Sequence, residues 1–381
     1  MKTYNVILFM LLSLLSIQHI NCASPEICEE DLVITRLKDH KNVAQFVQCK
    51  FEEAKEIQER AGATKQVKSF YASKQPGAPL KTETVELGAK LAYSTKWLAY
   101  ISGLFAKQFT ASQAKKKFST DPAKVKKQID HYLTLYKSEI NMDEFETPQE
   151  GFKTFNEWFI RKLKNPEVLR PIDPSPDVIV SPADCKILII PNIQKDTMVT
   201  IKEKDFSVTT LLAGDADLAQ AYKDGTMMIF RLAPYDYHRY HFPIDCFVGP
   251  ETKIEGKYHS VNPRAYVQGV KPLTVNKRSY EILQPGGPMD AYKDRKTVMV
   301  HVGATAVASI VNFFSQEKPY TVLHPKGSEM GYFEFGGSTL VMLFTKGSVI
   351  PNKQIVNNSL RGYETAVKVR ESIARWKNKI L

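Results

Sequence analysis

The stretch 338-STLVMLF-344 opens on two hydroxyl residues and runs on through five apolar side chains without a polar interruption. A short apolar run lacking period-two alternation is the pattern of a strand covered on both faces. Two glycines, Gly336 and Gly337, stand directly before it. A turn alone accounts for them, because glycine tolerates positive φ. The open question is what chemical company the rest of the chain offers Ser338.

Similar runs lie upstream, in 177-DVIVSPADCKILIIP-191, 227-MMIFRLAP-234 and 297-TVMVHVGATAVASIVNFF-314, each bounded by Pro, Gly, Asn or Asp. Short apolar segments with turn punctuation predict a β-rich domain rather than alternating β-α units. Helical signals dominate from about Thr82 to Lys164. Leu87, Leu91, Leu98, Ile101 and Phe105 stripe one face of a helix, and Lys90, Lys96, Lys107 and 115-KKK-117 accompany it. Such a basic amphipathic helix suits an anionic membrane surface or the protein's own core. Asp121 before Pro122 supplies an N-cap and first-turn proline for a further helix reaching about Lys137. A last helix is expected over 362-GYETAVKVRESIARWKNK-379. The fold class that follows is α+β: an N-terminal helical region, then a β-rich domain of antiparallel sheets, then a C-terminal helix.

With 381 residues, 43% hydrophobic and 24% charged, the chain is long enough for a large core and excludes a disordered protein. Its net charge of +11 favours an anionic partner, either nucleic acid or an acidic membrane. Lys2 followed by 6-VILFMLLSLLSI-17 and the small residues near Ala23 predict a secretory signal peptide over residues 1–23. Residues 24–80 form a polar extension closed by the linker-like 73-SKQPGAPL-80, and residues 81–165 the helical, membrane-facing region. The β-rich domain then takes residues 166–381. A chain without its leader keeps Cys28, Cys49, Cys185 and Cys246, so two disulfides are possible in an oxidising compartment. The sequon 357-NNS-359 makes Asn357 a candidate glycan acceptor.

Chemistry concentrates at few positions. His238 and His241 stand together in 234-PYDYHRYHFP-243, and Asp184 closes 181-SPAD-184 after an apolar strand. With Ser338 they supply a carboxylate, two imidazoles and a hydroxyl, the parts of a nucleophilic triad. A lipid esterase would use the same parts, yet normally carries its serine in a G-x-S-x-G elbow, and 336-GGSTL-340 is not one.

Eight ordered motifs sharpen this picture: 154-TFNEWFIRKL-163, 170-RPI-172, 181-SPAD-184, 231-RLAPYDYHRYH-241, 261-VNP-263, 276-NKR-278, 302-VGATAVASI-310 and 327-GSEMGYFEFGGST-339. In this order they resemble the phosphatidylserine decarboxylase family, pyruvoyl-dependent enzymes made as self-cleaving proenzymes. The resemblance implies that Ser338 attacks the carbonyl of Gly337, cutting the catalytic domain between 337 and 338 and becoming a covalent pyruvoyl cofactor. It implies that Asp184 with His241 promotes cleavage and that His238 assists decarboxylation. A Schiff base with phosphatidylserine would then yield phosphatidylethanolamine, with no metal and no nucleic acid involved. The partners implied are the lipid, an anionic membrane surface and the larger and smaller chains of one precursor. The location expected is the secretory pathway or beyond, with peripheral membrane association. A non-catalytic phosphatidylserine-binding protein is the other reading besides the esterase. Members of the family usually have glycine where this chain has Cys185 and Cys246. Their joint appearance motivates a Cys185–Cys246 disulfide clamping the site, with Cys28–Cys49 as the second bridge.

Overall fold

The computed structural model describes residues 70–75, 78–83, 117–193, 206–261, 270–304, 309–335 and 338–377. The chain divides into two compact units, and all of these residues belong to the one that comprises 69–84 and 103–381. The expected signal peptide, the striped helix around Leu87–Phe105, and Cys28 and Cys49 lie outside the described residues, as do Gly336 and Gly337.

Seventeen strands are found among the described residues. In chain order they begin with β1 (Phe70–Ala72), β2 (Lys81–Thr82), β3 (Val178–Val180), β4 (Cys185–Ile190), β5 (Thr226–Leu232) and β6 (Arg239–His241). There follow β7 (Cys246–Val248), β8 (Thr252–Ile254), β9 (Arg278–Pro285), β10 (Thr297–Gly303), β11 (Ile310–Asn312) and β12 (Leu323–His324). The last are β13 (Glu329–Phe333), β14 (Ser338–Phe344), β15 (Val349–Pro351), β16 (Glu364–Val367) and β17 (Ser372–Trp376). The largest sheet runs β12-β7-β9-β10-β14-β5-β4-β16-β1-β2, with β8 beside β9. Two three-stranded sheets, β11-β13-β6 and β15-β17-β3, complete the set. Pairing is antiparallel throughout except between β1 and β16.

The uninterrupted apolar run of β14 now has its physical reason. The strand is central, hydrogen-bonded to β5 on one side and β10 on the other, and all seven of its residues are buried. Leu340, Met342 and Phe344 join one core, while Val341 and Leu343 join a second core. With apolar matter on both sides, alternation has no use.

Helical segments sit around this framework. Pro122–Leu135 begins where expected, Asp121 accepting from the backbone of Ala123 and Lys124. With the short helix Phe155–Phe159 it brings Tyr132, Tyr136, Phe155, Trp158 and Phe159 against Ala233 and Tyr235. Among the described residues no helix is long and apolar enough to cross a membrane.

One expectation is corrected here. Residues 362–379 do not form the C-terminal helix: Glu364–Val367 pairs with β4, and Ser372–Trp376 pairs with β3 and β15. The last described helix is Lys353–Leu360, capped by Asn352, and the chain turns away at Gly362, whose φ is 80°. Glu, Ala, Lys and Arg favoured a helix locally, and cross-strand burial of Thr365, Val367, Ile373 and Trp376 outweighed that weak preference. Residues 70–72 and 81–82 are paired strands at one end of the main sheet, so 73-SKQPGAPL-80 joins β1 to β2. The sequon's Asn357 is exposed on its helix, while the Ser359 hydroxyl is buried and accepts from the Ile189 N–H.

Beside the site, Arg231 donates to Glu364 at 2.8 and 2.6 Å and to Glu83 at 2.9 and 3.0 Å. The guanidinium is buried and shared by two carboxylates, Glu364 of β16 and Glu83 just after β2. Replacing it by methionine strips the common cation from Glu83 and Glu364. Breaking a buried charge pair in this way removes about 3–5 kcal/mol, so an Arg231→Met chain is expected to unfold at markedly lower denaturant than wild type. An unmoved midpoint would mean that the carboxylates are already neutral.

Candidate active site

Ser338 opens β14 fully buried, opposite Leu232 on one neighbour and Gly303 on the other. Gly303 brings no side chain against the hydroxyl. The partner of Ser338 comes from the turn between β5 and β6: His238 Nδ1 lies 3.2 Å from Oγ. The other ring nitrogen, Nε2, lies 3.0 Å from the carbonyl oxygen of Ala233. A carbonyl only accepts, so Nε2 carries the hydrogen and Nδ1 presents its lone pair to the serine O–H. The ring is held flat by Phe159, whose centroid lies 3.9 Å away at an interplanar angle of 26°.

Burial pushes His238 down to about 3, against the opposing pull of the Ala233 carbonyl. The imidazole is therefore neutral at physiological pH and free to accept. The same shift has a stability consequence. Between about pH 6.5 and pH 3 the unfolded chain binds a proton that folded His238 refuses, so stability is complete above the ordinary histidine range and falls as pH drops through this window. Across the whole window the loss is on the order of 4 kcal/mol. Thermal midpoints measured from pH 7.5 down to pH 4 should fall more steeply in wild type than in His238→Gln, and parallel curves would refute the assignment.

His241 and Asp184 are placed differently from the sequence expectation. His241, also buried, has Nδ1 2.8 Å from the Gly327 carbonyl and Nε2 3.0 Å from the Tyr237 hydroxyl. Burial lowers its pKa, the Gly327 carbonyl opposing. Asp184 accepts from Lys368 Nζ at 2.9 Å and from the Val369 N–H at 2.8 Å, with Arg170 Nη2 at 3.6 Å. Burial alone would raise its carboxyl, yet Lys368, Arg170 and the Val369 N–H outweigh burial and hold it below the ordinary carboxylate range. Asp184 thus touches a cationic segment rather than an imidazole. No hydrogen bond joins the two among the described residues, although the Asp184 charge favours a protonated His241; Val369 and Tyr237, which they contact, pack in one small apolar cluster. His238 and His241 do not converge: one serves Ser338, the other braces Gly327, whose φ is 79°.

The proposed disulfide is also corrected. Cys185 and Cys246 are both free and buried, in β4 and β7, which stand five inter-strand steps apart in the main sheet. Their side chains fill the larger core as small hydrophobes. Among the described residues no cluster of His, Cys, Asp and Glu has the arrangement of a metal site.

Phe159, Ala233, Tyr237 and Lys368 were not singled out from sequence. The signal for the first lay in 154-TFNEWFIRKL-163, whose Thr154 accepts from the Glu157 N–H to start the helix that carries Phe159.

The family model for phosphatidylserine decarboxylase matches residues 155–375, more than half of the chain. The chain belongs to the phosphatidylserine decarboxylase family. Curated relatives agree. The phosphatidylserine decarboxylase proenzyme of Fusobacterium nucleatum is 38% identical over 240 residues, covering 63% of this chain and 76% of that protein. That of Clostridium novyi is 38% identical over 250 residues, covering 66% and 78%. The proenzyme 3 of Schizosaccharomyces pombe is 38% identical over 249 residues, 65% of this chain and 24% of that protein. The phosphatidylserine decarboxylase match contains Asp184, His238, His241, Gly337 and Ser338 together with Phe159, Arg170 and Lys368.

Proposed function

We propose that the chain is a phosphatidylserine decarboxylase proenzyme that cuts itself between Gly337 and Ser338 and carries its pyruvoyl group at position 338. The contact between Ser338 Oγ and the unprotonated Nδ1 of His238 is the observation that carries this reading. Transfer of the hydroxyl proton to that nitrogen frees the oxygen to add to the Gly337 carbonyl. As the C–N bond breaks, the peptide becomes an ester and the Ser338 nitrogen an amine. Loss of the Cα proton and of the Gly337 carboxylate across Cα–Cβ leaves an unsaturated amine, which takes up water and releases ammonia. No oxidant is needed, and a ketone remains.

Several features support a pyruvoyl group at this point. Its precursor is fully buried, faces a glycine across the sheet and has one neutral imidazole in reach. A pyruvoyl carbonyl supplies an acceptor for the electrons released when a carboxylate leaves as carbon dioxide. His238, already beside this position, would take up at Nδ1 a proton shed by the substrate ammonium as its amine condenses, and hand that proton back to the substrate carbon. The Phe159 ring keeps that nitrogen aimed and excludes water from its far face. Asp184 and His241 act in cleavage as positioning residues: Asp184 fixes the 368–369 segment, and His241 fixes Gly327 and Tyr237.

Phosphatidylserine is the substrate this reading gives, met at an anionic membrane surface to which the basic segment around residues 82–117 brings the enzyme. Residues 1–23 direct the chain into the secretory pathway.

Mass spectrometry of purified wild-type protein tests the proposal. Two fragments are expected, the smaller beginning at position 338 with a blocked terminus that reacts with a hydrazide. One intact chain without a reactive carbonyl overturns it, and the esterase or binding-protein reading then stands.

A further inference from the structure

The turn that carries His238 is itself held by a buried ion pair. Asp236 Oδ2 accepts from the Ala233 N–H at 2.7 Å, and the Asp236 N–H donates to the Ala233 carbonyl at 2.9 Å. That carbonyl is the one receiving His238 Nε2. Lys186, from β4, reaches both oxygens of Asp236 at 2.8 and 2.9 Å. Its ammonium is also 4.2 Å from the centroid of the Tyr235 ring. Asp236 and Lys186 are almost fully enclosed, with 9% and 5% of their side chains exposed.

We propose that Asp236, held by Lys186, is a positioning residue that fixes the Ala233 carbonyl and thereby locks His238 in the Nε2–H tautomer with its lone pair toward position 338. Asp236 grips Ala233 through both of its flanking peptides, the N–H of one by the carboxylate and the oxygen of the other by the Asp236 N–H. Neither peptide plane can turn without breaking its bond to Asp236. An imidazole whose Nε2 faces a fixed carbonyl has no second tautomer of comparable energy, since a bare nitrogen there would oppose the oxygen lone pairs. Burial raises the Asp236 carboxyl, and Lys186 together with the Ala233 N–H opposes that rise and favours the charged, fully accepting form. The aspartate therefore touches neither substrate nor the reacting atoms and acts through a main-chain oxygen.

This inference rests on the decarboxylase reading for its kinetic arm only, because the tautomer can be read without activity. The experiment compares Asp236→Ala, the double variant Asp236→Asn with Lys186→Met, and wild type, each with histidine labelled in the ring nitrogens for NMR. Wild type is expected to show His238 protonated at Nε2 alone. Asp236→Ala should show a mixture of both tautomers, with kcat lowered about 10²-fold by the misplaced ring and KM within about twofold. Its acid limb should also move from near pH 3 towards the ordinary histidine value as water reaches the turn. The double variant keeps an acceptor for the Ala233 N–H while removing both charges, so it should retain the single tautomer and a kcat within about fivefold of wild type. Should Asp236→Ala fail to fold, the double variant decides alone. A single Nε2–H tautomer in Asp236→Ala, or a mixed tautomer in the double variant, overturns the proposal. If wild type is uncut and inactive while the tautomers behave as stated, the decarboxylase reading has failed and the positioning role stands.

Discussion

A Ser338→Ala chain is expected to run as one band at full length, to carry no hydrazide-reactive carbonyl and to release no carbon dioxide from phosphatidylserine vesicles. The loss should be complete rather than partial, because the serine oxygen is both the attacking atom and the precursor of the ketone. The fold should survive it. The residue is a small side chain at the start of β14, and its backbone pairing to Leu232 and Gly303 does not involve Oγ. Unchanged far-ultraviolet dichroism beside an uncut chain is therefore the joint result to seek. Cleavage of the alanine variant at the same bond would transfer the chemistry to another group and end the present account.

The second large effect is expected at His238. Removing its imidazole deletes the acceptor beside Ser338 Oγ and the proton donor beside the finished carbonyl, so turnover per cut chain should fall by about 10²–10⁴-fold. The two steps respond unequally to such a loss. On the proposed reading each chain would cut itself once, and a cleavage slowed by that factor can still finish during expression, whereas decarboxylation must repeat. A time course of cleavage in freshly synthesised His238→Ala, set beside its turnover, separates the steps. Prompt cleavage in His238→Ala together with an uncut His241→Ala chain would return the first proton transfer to His241.

Much of the β-rich region was legible because its strands are buried on both faces, which leaves predominantly apolar runs at 185–190, 226–232, 297–303 and 338–344. The start of the helix at Pro122 was legible for a local reason, the aspartate cap before proline. Residues 362–379 misled because helix propensity is local, while the strand pairing that won involves partners almost two hundred residues away at Cys185–Ile187. At the site, the sequence drew attention to Asp184, His238, His241 and Ser338, and their hydrogen-bond partners were not legible. His238 and His241 differ by three positions, and nothing in that spacing tells which imidazole meets Ser338. The choice is made by the Ala233 carbonyl and the Phe159 ring, contacts between segments that sequence order keeps apart. Cys185 and Cys246 misled similarly, as two residues changed together yet lodged in strands that never meet.

The place of β14 within the main sheet gives self-scission an unusual outcome. Severed before Ser338, the shorter fragment would still contribute β14 between β5 and β10, β16 between β4 and β1, and β17 between β3 and β15. The two polypeptides would be interwoven like threads in cloth, with every seam intact but one. Once pulled apart in denaturant, they would have to find three separate slots from solution, a search the parent chain completed while still a single thread. Maturation would thus convert a reversible folder into an object that is assembled only once.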